Sequence, residues 1–188
     1  MPSSVTTDVT SDAMDPADAV EFRRTMAEFA SGVTVVTAVH ADEPVGFACQ
    51  SFSSVSLDPP LVLFCVDRRS RSWRGIRAAR RFCVNVLAED QAELCRRFGS
   101  SRGSRFDGLA WTLSAWGTPS LNGVLARIHG DVHSVHSEGD HDVVVGKVVA
   151  MERPQSGSPM VFFRGRFGVD APDDRGAELA WSWLDGWI

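Results

Sequence analysis

Lysine is nearly missing from this chain of 188 residues: Lys147 stands alone, and the remaining basic charge is arginine. The net charge of −5 argues against a general nucleic-acid binder. No apolar run approaches membrane-spanning length and no apolar h-region opens the sequence, so neither a membrane span nor a secretory signal is expected. The four cysteines, Cys49, Cys65, Cys83 and Cys95, include no C-x-x-C pair. That spacing argues against zinc and for a reduced, cytoplasmic protein, with Cys65 and Cys83 as small core residues. G-x-G-x-x-G and Walker loops are absent, so a dinucleotide would not be held in the Rossmann manner. The G-x-S-x-G elbow is absent too.

A chain of this length buries roughly 70% of its unfolded surface and needs no disulfide. It suits one domain with appended tails. Residues 1–14 are polar and expected to be disordered, 15–170 form the domain, and 171–188 are a Trp-rich tail ending in WSWLDGWI.

Asp15-Pro16 opens a helix, Ala19, Phe22, Met26, Phe29 and Ala30 recur at helical spacing, and Gly32 is the expected stop. Val33 to Val39 is β-branched and strand-like. Leu61 to Val66 is a wholly apolar run suited to a strand buried on both faces. Ser70 caps a helix to about Ala79, Arg81 to Leu87 is a strand, and Glu89 to Phe98 is a second short helix. Leu125 to Ser137 and His141 to Glu152 form a long hairpin about Glu138-Gly139-Asp140. Met160 to Phe167 is a last strand. Strand and helix do not alternate, so a doubly wound sheet is not expected; a mainly β, mostly antiparallel barrel with peripheral helices fits.

Between Pro44 and Pro60 the strand chemistry is unusual. Small and polar side chains dominate (Gly46, Ala48, Cys49, Gln50, Ser51, Ser53, Ser54, Ser56), where a core strand would carry branched aliphatics. Such a backbone lets a flat, polar-edged ligand approach closely. It equally describes a Ser-rich turn, and the residues alone leave both open. Gln50 offers an amide and Ser51 and Ser54 hydroxyls; Phe52 stacks or packs. No base accompanies Cys49, so a nucleophilic cysteine is not expected.

Seven arginines lie between Arg68 and Arg81. Within them Ser70 opens a helix beside Arg69 and Arg71, which reads either as a solvated basic face or as a phosphate cradle. His141, at the hairpin tip, is placed either in an ordinary turn or over a bound ring. His129 and His133 share a strand face that His136 does not, so no metal site is expected. Arg164 belongs either to a basic edge strand or to an anion or carboxamide contact.

The segments GVTVVT, PVGFACQSFSSVSLDPPLVLFC, RSW, RFCVNVLAEDQ, RFGS, the GDH turn and FFRGRF occur in an order that resembles the short-chain flavin reductases. These are the reductase partners of two-component flavin-dependent monooxygenases. The resemblance runs from Phe22 to Phe167. Where many members carry a Thr-Ala-Asn-Ser type sequence, this chain has Ala48-Cys49-Gln50-Ser51. That wording is similar to the branch serving the oxygenase that hydroxylates a phenolic secosteroid in actinobacterial sterol catabolism.

The resemblance implies a split β-barrel with a Greek-key core, a homodimer, and flavin bound near the dimer interface. It implies hydride transfer from NADH, or NADPH, to FAD or FMN, with reduced flavin leaving for a partner oxygenase. Flavin ring and ribityl contacts fall on Ala48, Cys49, Gln50, Ser51, Phe52, Ser54 and Val55. Phosphate contacts fall on Arg69, Ser70, Arg71, Gly75 and Ile76, and further flavin contacts on Ser100, Ser101 and Arg102. Nicotinamide contacts fall on His141, as the catalytic-site residue, and on Phe162, Phe163, Arg164 and Gly165. Because the flavin carries the chemistry, no side-chain nucleophile is required. Two alternatives stay open: a split-barrel flavoprotein that retains FMN for electron transfer, and a non-enzymatic flavin- or haem-binding module.

Overall fold

The computed structural model describes residues 16–100 and 103–167. Both expected tails, 1–14 and 171–188, and their boundaries with the domain therefore lie outside the described residues. Helix α1 spans Pro16–Met26 and ends well before Gly32. Ser31 and Gly32 instead form a short strand, β1, because their backbone pairs with Phe162 and Val161. Pairing with a distant strand takes the residues that helical spacing assigned to α1.

Strand β2 (Thr34–His40) turns through Ala41 and Asp42, both at positive φ, into β3 (Glu43–Cys49). Two-residue turns of this hand match the twist of the strands they join. β2 is buried on both faces: Val35, with Val33 just before the strand, enters one apolar cluster, and Val36 and Ala38 another. β4 (Ser53–Leu57) and β5 (Pro60–Asp67) follow, then α2 (Arg71–Ala79), β6 (Arg81–Val86) and α3 (Ala92–Gly99). The expected start of α3 at Glu89 fails because Glu89 N–H bonds the Ser158 carbonyl at 3.0 Å and Ala88 bridges to Pro159.

Strands β7 (Trp111–Leu113) and β8 (Pro119–Leu121) make a small ribbon. The long hairpin is β9 (Ala126–Glu138) and β10 (His141–Glu152). The expected final strand is in fact a hairpin, β11 (Val161–Phe163) and β12 (Arg166–Phe167). Arg164 and Gly165 sit at φ 48° and 77°, which turns the chain between them. Strand alternation across Arg164 therefore does not hold.

Seven strands form one antiparallel sheet in the order β3-β2-β6-β9-β10-β5-β4, and β1-β11-β12 form a second. The main sheet curves until Phe47 of β3 meets Phe64 of β5 at 6.0 Å between ring centroids. No backbone ladder joins those two strands among the described residues. Phe64, Trp73, Ile76, Phe82, Val84 and Val144 fill the concave side, while Val33, Val35, Leu87, Phe98, Leu121 and Met160 form the second cluster under α3. β5 is not buried on both faces. Val62, Phe64 and Val66 enter the core, whereas Leu61, Leu63 and Cys65 are only partly covered.

A bulge where the pairing passes from Val145–Ser134 to Gly146–Val132 breaks the alternation at His133. His129 is fully buried, bonds Thr118 through Nδ1 at 2.8 Å and stacks on Trp116, while His133 and His136 face outward. Among the described residues no group of three or more metal-ligating side chains converges.

Candidate functional site

One cleft of about 780 Å³ opens where the end of β3, the end of β5, the start of α2, residues 98–99 and 103–107 and the β9–β10 tip meet. Its floor begins at Gly46, where a Cβ would come within 2.9 Å of the Val36 carbonyl and of the Phe98 ring. Only glycine lets the backbone run this close, and its carbonyl accepts a bond from the Ser72 hydroxyl at 2.7 Å. Beyond it Ala48, Cys49, Gln50 and Ser51 line the cleft, with Cys65 and Val66 opposite.

The Ser51 hydroxyl is committed to the protein. It accepts from Cys65 N–H at 2.8 Å and donates to the Cys65 carbonyl at 3.2 Å, stapling the end of β3 to β5. Gln50 is different: its Nε2 is buried with no partner among the described residues. A buried unpaired amide costs free energy unless a ligand satisfies it. Burial pushes the Cys49 thiol up to about 11, so it is no thiolate at neutral pH. Cys65, expected in the core, borders the cleft instead.

At the other end α2 presents its N-terminus. Ser70 caps it, accepting from Trp73 N–H at 3.3 Å, and Ser70, Arg71 and Ser72 line the cleft. The unsatisfied N–H groups of a first turn favour an anion. Arg69 borders the cleft too, but its guanidinium grips Asp67 at 3.1 Å and its side chain is 81% exposed. That bond, ahead of the smaller opposing effect of burial, holds the Asp67 carboxyl below its ordinary value. Arg105 takes the place beside the pole, with Nη1 2.5 Å from the Gly46 carbonyl and Nη2 2.7 Å from the Ser100 carbonyl.

The rim is set by the hairpin. Arg68 N–H bonds the Asp140 carbonyl at 3.2 Å and its guanidinium bonds the Gly139 carbonyl. His141 pairs in register with Asp67 and sits 2.7 Å, through Nδ1, from Asp140 Oδ1. The hydrogen bond with His141 lowers the Asp140 carboxyl.

Of the residues expected at the site, Ala48, Cys49, Gln50, Ser51, Arg69, Ser70, Arg71 and His141 border this cleft. Phe52 packs against the concave core, and Ser54 and Val55 lie exposed on β4. Gly75 and Ile76 are buried on the inner face of α2, Gly75 so tightly that a Cβ would lie 3.2 Å from Val45. Ser100 caps the end of α3, and Ser101 and Arg102 lie outside the described residues. Phe162 to Gly165 are not brought to this cleft. Phe162 stacks edge-on with Phe167, Phe163 lies under the Arg164 guanidinium, and Arg164 pairs with Glu28 at 2.7 Å. Ser72, Arg105, Cys65 and Trp111 border the cleft and were not expected there from the sequence.

The pattern of the family described as "Flavin reductase like domain" matches residues 26–169. The chain belongs to the flavin reductase family. It is 44% identical to the "Flavin-dependent monooxygenase, reductase subunit HsaB" of Rhodococcus jostii, over 96% of this chain and 99% of that protein. Among solved structures it resembles nitrilotriacetate monooxygenase component B from Mycobacterium thermoresistibile, with TM-score 0.78 and 45% identity over 84% of this chain and 94% of that one. It also resembles the Streptomyces globisporus NADH:FAD oxidoreductase SgcE6 in complex with NAD and FAD fragments, with TM-score 0.78 and 37% identity over 87% and 99% of the two chains.

Proposed function

We propose that this chain reduces FAD or FMN with NADH, NADPH being the alternative donor. The reduced flavin is then released to a partner oxygenase that hydroxylates an aromatic substrate, a steroid-derived phenol in the narrower reading. The observation that carries this is one cleft joining a close-approach floor with an orphaned amide at Gln50 to a positive pole at α2. A flavin nucleotide has matching parts: a flat ring with polar edges and a phosphoryl group.

The bound flavin supplies the acceptor for hydride from the nicotinamide. This chain's residues bind and orient. Gln50 Nε2 meets a ring-edge acceptor, the α2 N-terminus with Ser70 and Arg71 holds the phosphoryl group, and His141 orients the nicotinamide at the rim. No group is needed to store a proton or form a covalent bond. Release requires modest affinity, on the order of micromolar or about 8 kcal/mol. The test is NADH consumption on mixing protein with each free flavin in turn; NADH that stays unconsumed with both removes the reading.

His141→Ala is expected to raise KM for NADH about tenfold and to change flavin Kd less than twofold, measured by steady-state kinetics and flavin titration. Collapse of flavin affinity instead would move His141 from the nicotinamide side to the flavin side.

The reading extends to a homodimer of split barrels in the cytoplasm. Phe22, Met26 and Phe29 of the α1 region and Val55 and Leu57 of β4 stand exposed on the single chain, Leu57 at 94%. Burying these side chains against a second copy would remove their apolar surface from water. A second copy would also account for Phe162 to Gly165, which do not border their own chain's cleft. All four cysteines are unbridged, in keeping with a reducing compartment.

A further inference from the structure

Six of the described arginines pair with carboxylates. Arg69 pairs with Asp67, Arg77 with Asp142, Arg81 with Asp131, Arg96 with Glu93, Arg127 with Glu152 and Arg164 with Glu28. Arg105 forms no such ion pair among the described residues, although it is part-buried in the cleft wall. Its acceptors are all neutral: the Ser100 carbonyl at 3.1 Å from Nε and 2.7 Å from Nη2, the Gly46 carbonyl at 2.5 Å from Nη1, and the Ser72 hydroxyl. Burial, then the nearby positive charge of Arg71, pushes the Arg105 guanidinium below its usual value. Two like charges thus lie at the pole of α2, and an anion bound there would be attracted to both.

The position is also built rigidly. Phe106, the next residue, is buried and packs edge-on against Phe98 at 5.1 Å and Trp111 at 5.8 Å. That anchor fixes the backbone from which Arg105 reaches back across the cleft wall. Through Ser72 and Gly46, its fork ties the floor strand β3 to the first turn of α2.

We propose that Arg105, rather than Arg69, is the second guanidinium that recognises the phosphoryl group of the flavin nucleotide, acting with Arg71 and the α2 N-terminus. This rests on the flavin-reductase reading and names the residue that separates a phosphorylated flavin from riboflavin. Arg69 carries a similar charge in sequence, but Asp67 holds its guanidinium through three contacts of 3.1–3.3 Å and offsets its charge. A guanidinium suits a phosphoryl group in charge, and with four of its five N–H groups turned to neutral acceptors Arg105 keeps one Nη2–H to donate to a phosphoryl oxygen.

The experiment compares Kd for riboflavin, FMN and FAD in the wild type and in Arg105→Gln and Arg105→Lys. Arg105→Gln is expected to weaken FMN and FAD about tenfold or more while riboflavin changes less than twofold. Arg105→Lys, which keeps the charge, is expected to recover part of the loss. Equal losses on FMN and FAD assign the shared phosphate; a larger loss on FAD assigns the pyrophosphate, and both support the proposal. Unchanged FMN affinity, or equal weakening of FMN and riboflavin, overturns it and leaves Arg105 a brace.

Should the glutamine variant not fold, the Arg105 Nε–H NMR signal of the wild type, assigned with Arg105→Lys, carries the test. It should move on titration with FMN and not with riboflavin; a signal indifferent to FMN overturns the proposal. A wild type that binds none of the three flavins overturns the flavin reading itself.

Discussion

Replacing Asp142 with alanine is expected to lower the unfolding free energy by about 3 kcal/mol, read as a shift in urea midpoint at constant slope. Asp142 is 2% exposed. Its carboxylate accepts the Trp73 indole N–H at 2.8 Å and the Ser137 hydroxyl at 2.8 Å, with Arg77 3.8 Å away. Trp73 is itself buried, so the alanine variant leaves an indole N–H without an acceptor inside the protein. The loss also reaches the site, because this contact holds the start of α2 against β10 next to His141. Asp142→Asn keeps an acceptor and is expected to cost roughly half as much.

Acid should act through the same group. Burial pushes the Asp142 carboxyl up, but bonds from Ser137 and Trp73 and the charges of Arg77 and Arg68 outweigh it, leaving the group below its ordinary value. A carboxylate depressed on folding contributes stability above its unfolded pKa, about 3.9, and loses it as pH falls through the folded value. Asp67 and Asp140 are shifted the same way. Stability is therefore expected to fall below about pH 4, and Asp142→Asn should flatten that acid limb.

Gly146→Ala is expected to cost about 3 kcal/mol, measured by the same denaturation. A Cβ at Gly146 would lie 2.3 Å from Phe82 Cζ and 2.7 Å from its Cε1; one at Gly130 would lie 2.8 Å from the same Cζ. Phe82 is fully buried and meets Phe64 edge-on at 5.3 Å, so its ring has nowhere to retreat. Two facing strands have given up side chains to admit one ring. Trimming that ring should relieve the clash: Gly146→Ala in a Phe82→Leu background is expected to cost less than half its single-variant value. A strictly additive double variant would show that the strain lies in the backbone instead.

Local chemistry was legible where it is decided locally. Ser70 reads as a cap and is one, the β-branched run from Val33 forms a central strand, and the Gly139-Asp140 turn joins the long hairpin. The cleft floor was legible because a strand poor in branched aliphatics stands out against its neighbours. Tertiary competition hid the rest. The end of α1 depends on β11 arriving to pair with Ser31, and the half-covered face of β5 depends on which strands lie across it. Arg69 and Arg105 look alike as letters. Only the fold shows that an aspartate two residues away captures the first, while Phe106 plants the second in the cleft wall. A polar loop with Gly and Ser gives no sign that one of its arginines reaches back to β3.

The most direct measurement is an anaerobic single turnover followed by ultrafiltration. Protein preloaded with oxidised FAD or FMN is mixed with NADH, flavin bleaching is timed, and the filtrate is assayed for reduced flavin. The account predicts bleaching far faster than in protein-free solution, with most of the reduced flavin passing the membrane. Bleaching no faster than the protein-free control would contradict it, as would reduced flavin retained entirely with the protein.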